Sequence, residues 1–301
     1  MLSRRQKHIV LKFFSLFSVV RGYNILVVVL AQYLASIYIF AHDKPLKAVL
    51  VDVNLLMLVL ASSATIAAGY IINSFYDSEK DLINRPQKTM LDRLVSQNTK
   101  LSFYFTLNFL SVVFASYVSF RAVMFFALYI FGIWFYSHKL KKLPMVGNLV
   151  SAILAVTPFF AIFIYYGNFE LVIFYHALFL FLLISIRELV KDLENIKGDF
   201  AQNYQTIPVK YGSAVSKKIV TALVCLTAIP IVILLTQFNL GYMSIYFFSS
   251  IFMLFIFIVL LWQSTSKYQY TWLHNIVKFI IVFGVVCIVL IDVNLLLKLT
   301  D

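Results

Sequence analysis

Apolar runs of about 18–27 residues recur along the whole chain, divided by short polar breaks. Nine of them lie at roughly 20–41, 50–76, 101–118, 120–137, 147–166, 169–190, 215–236, 241–262 and 274–297. Each is long enough to cross about 30 Å of hydrocarbon as a helix with some tilt. The pattern predicts an all-α, polytopic transmembrane helical bundle of nine spans, forming one domain over 1–301. Ahead of the first span, Arg4, Arg5, Lys7 and Lys12 alternate with Ile9, Leu11, Phe13 and Phe14, as in an interfacial amphipathic helix. The basic start is not followed by a short apolar run with a small-residue cleavage site, so no cleavable signal peptide is expected.

Composition agrees with the pattern. The 301 residues are 62% hydrophobic and 13% charged, with a mean hydropathy of +0.90. A soluble domain of this make-up lacks the polar residues to cover its surface. The net charge of +12 raises nucleic acid as a partner, but its distribution excludes that reading. With a cytoplasmic N-terminus, every Lys and Arg except Lys44, Lys47, Arg121 and Lys298 falls on the cytoplasmic side, an asymmetry that orients a membrane protein. The same charge can meet anionic headgroups or a diphosphate. Cys225 and Cys287 both sit inside apolar runs, where a thiol acts as a packing group.

The acids are placed unevenly. Asp77, Glu79, Asp81, Asp92, Glu188, Asp192, Glu194 and Asp199 occupy two polar segments, one after the second span and one after the sixth. On a helix, Asn73, Asp77 and Asp81 recur every fourth residue and share one face. Asp192, Asn195 and Asp199 also share a face, with Glu188 near it and Glu194 pointing elsewhere. Acids at the end of a membrane helix are costly unless they meet water or a cation. Hard oxygen donors of this kind suit Mg²⁺, which is commonly shared with substrate phosphates. Both segments also read as solvated helix ends with scattered acids. Residues 82–100 read as a long polar loop in which Pro86 discourages helix. Residues 200–212 read as a second loop, closing on a turn at Gly212. Lys139, Lys141 and Lys142 anchor the end of the fourth span or reach a diphosphate. The recurrence of a span, an oxygen-rich face and a polar loop hints at an internal repeat of spans 1–4 and 5–8.

With both acidic segments placed, the chain resembles the UbiA superfamily of intramembrane prenyltransferases. Asn73, Asp77 and Asp81 match the family motif NxxxDxxxD, and Asn84-Arg85-Pro86 matches what usually follows. Tyr136-Ser137 with Lys141-Lys142 and Gly147-Asn148 is similar to the segment between the fourth and fifth spans. The second motif, typically KDxxDxxGD, reads KDLENIKGD here: Lys191, Asp192, Gly198 and Asp199 are kept, and Asn195 stands where an aspartate is usual. Asparagine offers an oxygen without the negative charge.

The resemblance implies Mg²⁺ as cofactor, held by Asn73, Asp77, Asp81, Asp192, Asn195 and Asp199. It implies catalytic roles for Asp77, Asp81, Asp192 and Asp199. Substrate contacts fall to Asn73, Arg85, Lys141, Lys142 and Lys191. The partners implied are a prenyl diphosphate, a lipid or aromatic acceptor and the surrounding membrane lipids, with the site facing the cytoplasm. RELVKDLENIKGD followed by TIPVKYG is most similar to the branch that prenylates geranylgeranylglyceryl phosphate. Arg85, Lys88, Arg93 and Lys197 are candidates to meet a phosphorylated acceptor. Aromatic acceptors of quinone synthesis are the alternative within the superfamily, and a membrane transporter is the alternative outside it. His138 and His176 have packing or helix-end roles before any role as general bases.

Overall fold

The computed structural model describes residues 15–293. Every regular element among them is helical. In chain order the α-helices are α1 (Gly22–Ala35), α2 (Leu46–Leu50), α3 (Val53–Tyr76), α4 (Ser78–Asn84), α5 (Pro86–Asp92), α6 (Gln97–Val118), α7 (Phe120–His138), α8 (Val146–Tyr166), α9 (Leu171–Ala201), α10 (Ile207–Gln237), α11 (Ser244–Gln263) and α12 (Lys267–Cys287). A π-helical turn, Ser36–Phe40, prolongs α1. Among the described residues, nine helices are long and apolar enough to cross a membrane. They carry outward-facing Phe105, Phe109, Phe120 and Leu128, side chains that belong in lipid rather than water. The proposed amphipathic helix is described only at its end, residues 15–19, which are helical; the rest lies outside the described residues.

Three sequence expectations change. The seventh helix starts at Ile207, well before 215, and is broken at Gly212 (φ 84°, ψ 164°). That backbone conformation is open essentially to glycine alone, so the turn signal is real but sits inside the helix. The ninth span starts at Lys267, because Ser266 and Gln269 form a reciprocal capping box. Residues 82–100 are not a loop. Pro86 occupies the first position of α5, where a missing N–H costs nothing, so the proline starts a helix instead of preventing one.

The described residues form two compact units. The first holds residues 15–29, 53–140 and 197–203. Its centre is α3, two-thirds buried (67%) where α6 is 17% buried. Ala61, Ala64, Ala67 and Ala68 along α3 are buried, and such small side chains let neighbouring helices approach. Ala68, Ile71 and Ile72 pack with Val19 and Tyr104, flanked by Phe75, Leu107, Ile133 and Trp134. A polar link crosses this interface. Ser111 Oγ donates to the Ala61 carbonyl at 3.0 Å and lies 2.7 Å from Thr65 Oγ1. Ser111 has one proton and spends it on Ala61, so Thr65 is the donor of the pair.

The second unit holds residues 30–52, 141–196 and 204–293. Ala152, Val156 and Ile184 form one of its packed centres, with Ala177, Leu180, Phe181 and Ile281 against it. Lys217, a residue of the basic side, is buried and donates to the carbonyls of Ser264 at 2.6 Å and Trp262 at 3.4 Å. It thereby satisfies the open carbonyl end of α11.

Ser111→Ala is expected to lower stability by about 1 kcal/mol, in the range for hydrogen bonds between membrane helices. Ser116→Ala, at an exposed hydroxyl bonded only to its own helix at Val113, is the control that should leave the unfolding midpoint in detergent unchanged.

Candidate functional site

The first motif straddles a slight break in the helix. α3 ends at Tyr76, and Asp77 (φ −91°, ψ 3°) precedes α4. The i→i+4 ladder nevertheless continues: Asp77 N–H to Asn73 O at 2.9 Å, Asp81 N–H to Asp77 O at 2.8 Å, Arg85 N–H to Asp81 O at 2.7 Å. The helical spacing read from the sequence therefore survives the break. Asp77 is 5% exposed and Asp199, from the end of α9, is 1% exposed. Between them stands the ammonium of Lys80, 3.5 Å from Asp77 Oδ1 and 3.2 Å from Asp199 Oδ1. Two buried carboxylates so placed need a positive charge, and Lys80 provides it.

The approach of Asp199 is set by its neighbour. The Gly198 N–H donates to Asn84 Oδ1 at 3.2 Å. A Cβ on residue 198 would collide with the Asn84 side-chain amide, so this contact requires glycine. Asn84 opens the Asn84-Arg85-Pro86 run and Gly198 belongs to KGD, so the hydrogen bond ties the run after the first motif to the second motif. Asp81 lines a polar pocket with Ser74, Ser78, Thr89, Asp92 and Arg93. Asp92 accepts from Ser18 Oγ at 3.0 Å and lies 3.7 Å from Lys88. Burial and the Arg21 guanidinium push the Lys88 ammonium below the ordinary lysine range, while Asp92 and Asp81 oppose the shift. Arg93 meets Glu79 at 3.0 Å on the exposed side, a contact worth little.

In the second unit, Asp192 Oδ2 accepts from Asn148 Nδ2 at 2.8 Å. Glu188 lies 2.9 Å from Lys191 and 3.2 Å from Arg187. Arg187 Nε donates to His274 Nε2 at 3.1 Å, and His274 Nδ1 lies 3.0 Å from Glu194 Oε2. A ring nitrogen that accepts from arginine carries no proton, so Nδ1 is the protonated one and donates to Glu194. Glu194 is thus turned toward α12, as its helical position implied. Asn195 is buried. The ammoniums of Lys141 and Lys142 lie 5.9 and 5.4 Å from the centre of the Tyr204 ring, and Gln205 N–H donates to Lys142 O. The expected second loop has shrunk to a short link held against these lysines. His138 stacks on Trp134 and His176 Nδ1 bonds Val172 O.

An apolar cavity of about 120 Å³ lies in the second unit. Ala31, Phe40, Val156, Phe163, Leu183 and Phe247 are among its walls. Leu183 and Asp192 share α9, nine residues or about 13 Å apart along the axis. Among the described residues no three Asp, Glu, His or Cys side chains gather into a metal cage. Mg²⁺ seldom uses one; it is usually held by one or two carboxylates and the substrate's phosphates. Asp77 and Asp199 offer hard oxygens to one cation position, marked here by an ammonium, and so fit that mode.

Three residues were missed in the sequence: Lys80, Asn84 as a hydrogen-bond acceptor, and Asn148 as the partner of Asp192. Lys80 had a visible signal, an i, i+3 pairing with Asp77. The other two are long-range contacts with none.

Comparison with known proteins adds the following. The profile of the UbiA prenyltransferase family matches residues 18–291. A digeranylgeranylglyceryl phosphate synthase of Thermococcus sibiricus is 33% identical over 202 residues, 67% of this chain and 70% of the relative. One from Methanobrevibacter smithii is 26% identical over 238 residues, 75% of this chain and 80% of the relative. A solved structure concerning digeranylgeranylglyceryl phosphate synthase in membranes aligns with TM-score 0.69 at 20% identity, covering 93% of this chain and 98% of its own. A UbiA homolog from Archaeoglobus fulgidus, bound to GPP and Mg²⁺, aligns with TM-score 0.65 at 17% identity, covering 91% and 99%.

The Asn84–Gly198 contact can be tested by a double-mutant cycle. Asn84→Ala leaves the Gly198 N–H without this acceptor and is expected to destabilise by about 1–3 kcal/mol. Gly198→Ala is expected to cost more, through the collision. Combining the two should recover part of the loss, because the collision partner is gone. Thermal unfolding in detergent reads all three.

Proposed function

The chain belongs to the UbiA prenyltransferase family, and we propose that it transfers a geranylgeranyl group from its diphosphate to the free hydroxyl of geranylgeranylglyceryl phosphate at the cytoplasmic face of a membrane. As a prenyltransferase with nine helices, among the described residues, long and apolar enough to cross a membrane, it is a multi-pass integral membrane protein, and the transporter reading is set aside. The observation that carries the proposal is the meeting of Asp77 and Asp199, one from each motif, at a single cation position.

In the reaction, the allylic C–O bond breaks and diphosphate leaves with the electron pair. The acceptor oxygen bonds to the prenyl carbon and releases its proton. When bound, Mg²⁺ supplies positive charge that stabilises the diphosphate as it departs. Asp77 and Asp199 are the residues that would hold it, with Asn73 and Asp81 on the same helical ladder as Asp77. Arg85, next on that ladder, is suited to the outer oxygens of the diphosphate. In the second unit, Asn148 keeps Asp192 in one orientation, and the apolar walls of that unit's cavity suit an isoprenoid tail. The cytoplasmic placement rests on the Lys and Arg asymmetry. The lipid acceptor is favoured by relatives such as the Thermococcus enzyme.

Asp77→Ala and Asp199→Ala are expected to reduce transfer by at least about a hundredfold, the scale of losing one preorganised electrostatic contact. Circular dichroism should show the helices unchanged. Labelled geranylgeranyl diphosphate would be offered with geranylgeranylglyceryl phosphate, 4-hydroxybenzoate or a dihydroxynaphthoate in parallel. Product from the glycerol lipid alone supports the proposal, and product from an aromatic acceptor alone replaces it. Turnover by Asp77→Ala at the wild-type rate would overturn the site.

A further inference from the structure

We infer that Lys80 is a tethered cation that holds the Asp77–Asp199 pair together in the metal-free protein and competes with a divalent ion for it. The inference rests on the proposed role of these carboxylates. It goes further in assigning to the protein's own side chain the place that the ion would take. The ammonium is close to one oxygen of each acid, at 3.5 and 3.2 Å, and the Lys80 side chain is 15% exposed. It is therefore sheltered enough for its charge to count. Its attachment is local on one side only: Asp77 is three residues away on the same helical ladder, whereas Asp199 comes from the end of α9. The flexible stem of lysine lets the ammonium leave without moving either backbone. Asp199 would not drift far on its departure, because Gly198 stays fixed to Asn84.

The charge balance of the pair agrees. Lys80 offsets one of the two negative charges that Asp77 and Asp199 carry when ionised. The site then has weak intrinsic affinity for a divalent ion, and the ion enters mainly together with a diphosphate. The incoming phosphate oxygens give the displaced ammonium a new partner. Lys80 is thus a positioning residue in the empty site and a charge partner for substrate in the filled one.

The test uses the full chain in detergent, with Mn²⁺ as the probe and free Mn²⁺ followed by electron paramagnetic resonance. Lys80→Gln should bind Mn²⁺ at least about tenfold more tightly than wild type without diphosphate, as expected from removing a unit charge a few ångströms from the ion. In EDTA its unfolding midpoint should fall, and Mn²⁺ should restore it. Lys80→Arg, which keeps the charge, should follow wild type in both measurements. Equal or weaker Mn²⁺ binding by Lys80→Gln overturns the inference while leaving the proposed function intact. No Mn²⁺ binding by wild type, even with pyrophosphate present, counts instead against the carboxylate site itself. Should Lys80→Gln fail to fold, Lys80→Met with Mn²⁺ present from solubilisation onward is the second variant. Recovery of folded protein only with Mn²⁺ supports the tether, and recovery in neither condition overturns it as a replaceable cation.

Discussion

Two ionised carboxylates almost shut off from solvent repel each other unless positive charge stands between them. The first unit is arranged around that constraint. The i→i+4 ladder through Asn73, Asp77, Asp81 and Arg85 fixes one carboxylate relative to α3. The Asn84–Gly198 hydrogen bond fixes the other. The Lys80 ammonium lies where the two meet. Around this polar centre the helices need only pack, which they do with alanines, isoleucines and one Thr65–Ser111 link. Apolar bulk makes the fold, and the buried charges of this unit gather in a few polar contacts at helix ends.

The second unit solves the same problem differently. Glu188 is neutralised by Lys191 and Arg187, and Glu194 accepts a hydrogen bond from the neutral imidazole of His274 on α12. Asp192 accepts from the neutral side-chain amide of Asn148.

Much of this was legible in the chain. The nine spans follow from run length, because a helix must satisfy its own backbone in lipid and needs a near-fixed number of residues to cross. The helical spacing of Asn73, Asp77 and Asp81 was equally readable. The misread boundaries come from local chemistry that hydropathy ignores: the Ser266–Gln269 cap, Pro86 as a helix starter, and Gly212 as a break inside a helix. The cation between Asp77 and Asp199 was not legible, although Lys80 lies within the motif. Its second partner comes from a distant part of the chain, and periodicity carries no information on tertiary contacts.

The length of α9 has a consequence for the lipid around it. From Leu171 to Ile186 the helix is free of lysine, arginine and acid, a stretch of about 24 Å at the usual helical rise. That is several ångströms short of the average hydrocarbon thickness of about 30 Å. The next turn, with Arg187 and Glu188, would lie within a bilayer of ordinary depth, and the protein shelters that charge by setting Glu188 against Lys191 and Arg187. Acyl-chain length in the host membrane thereby becomes a variable acting on this one turn, with each ångström of mismatch carrying a fraction of a kcal/mol.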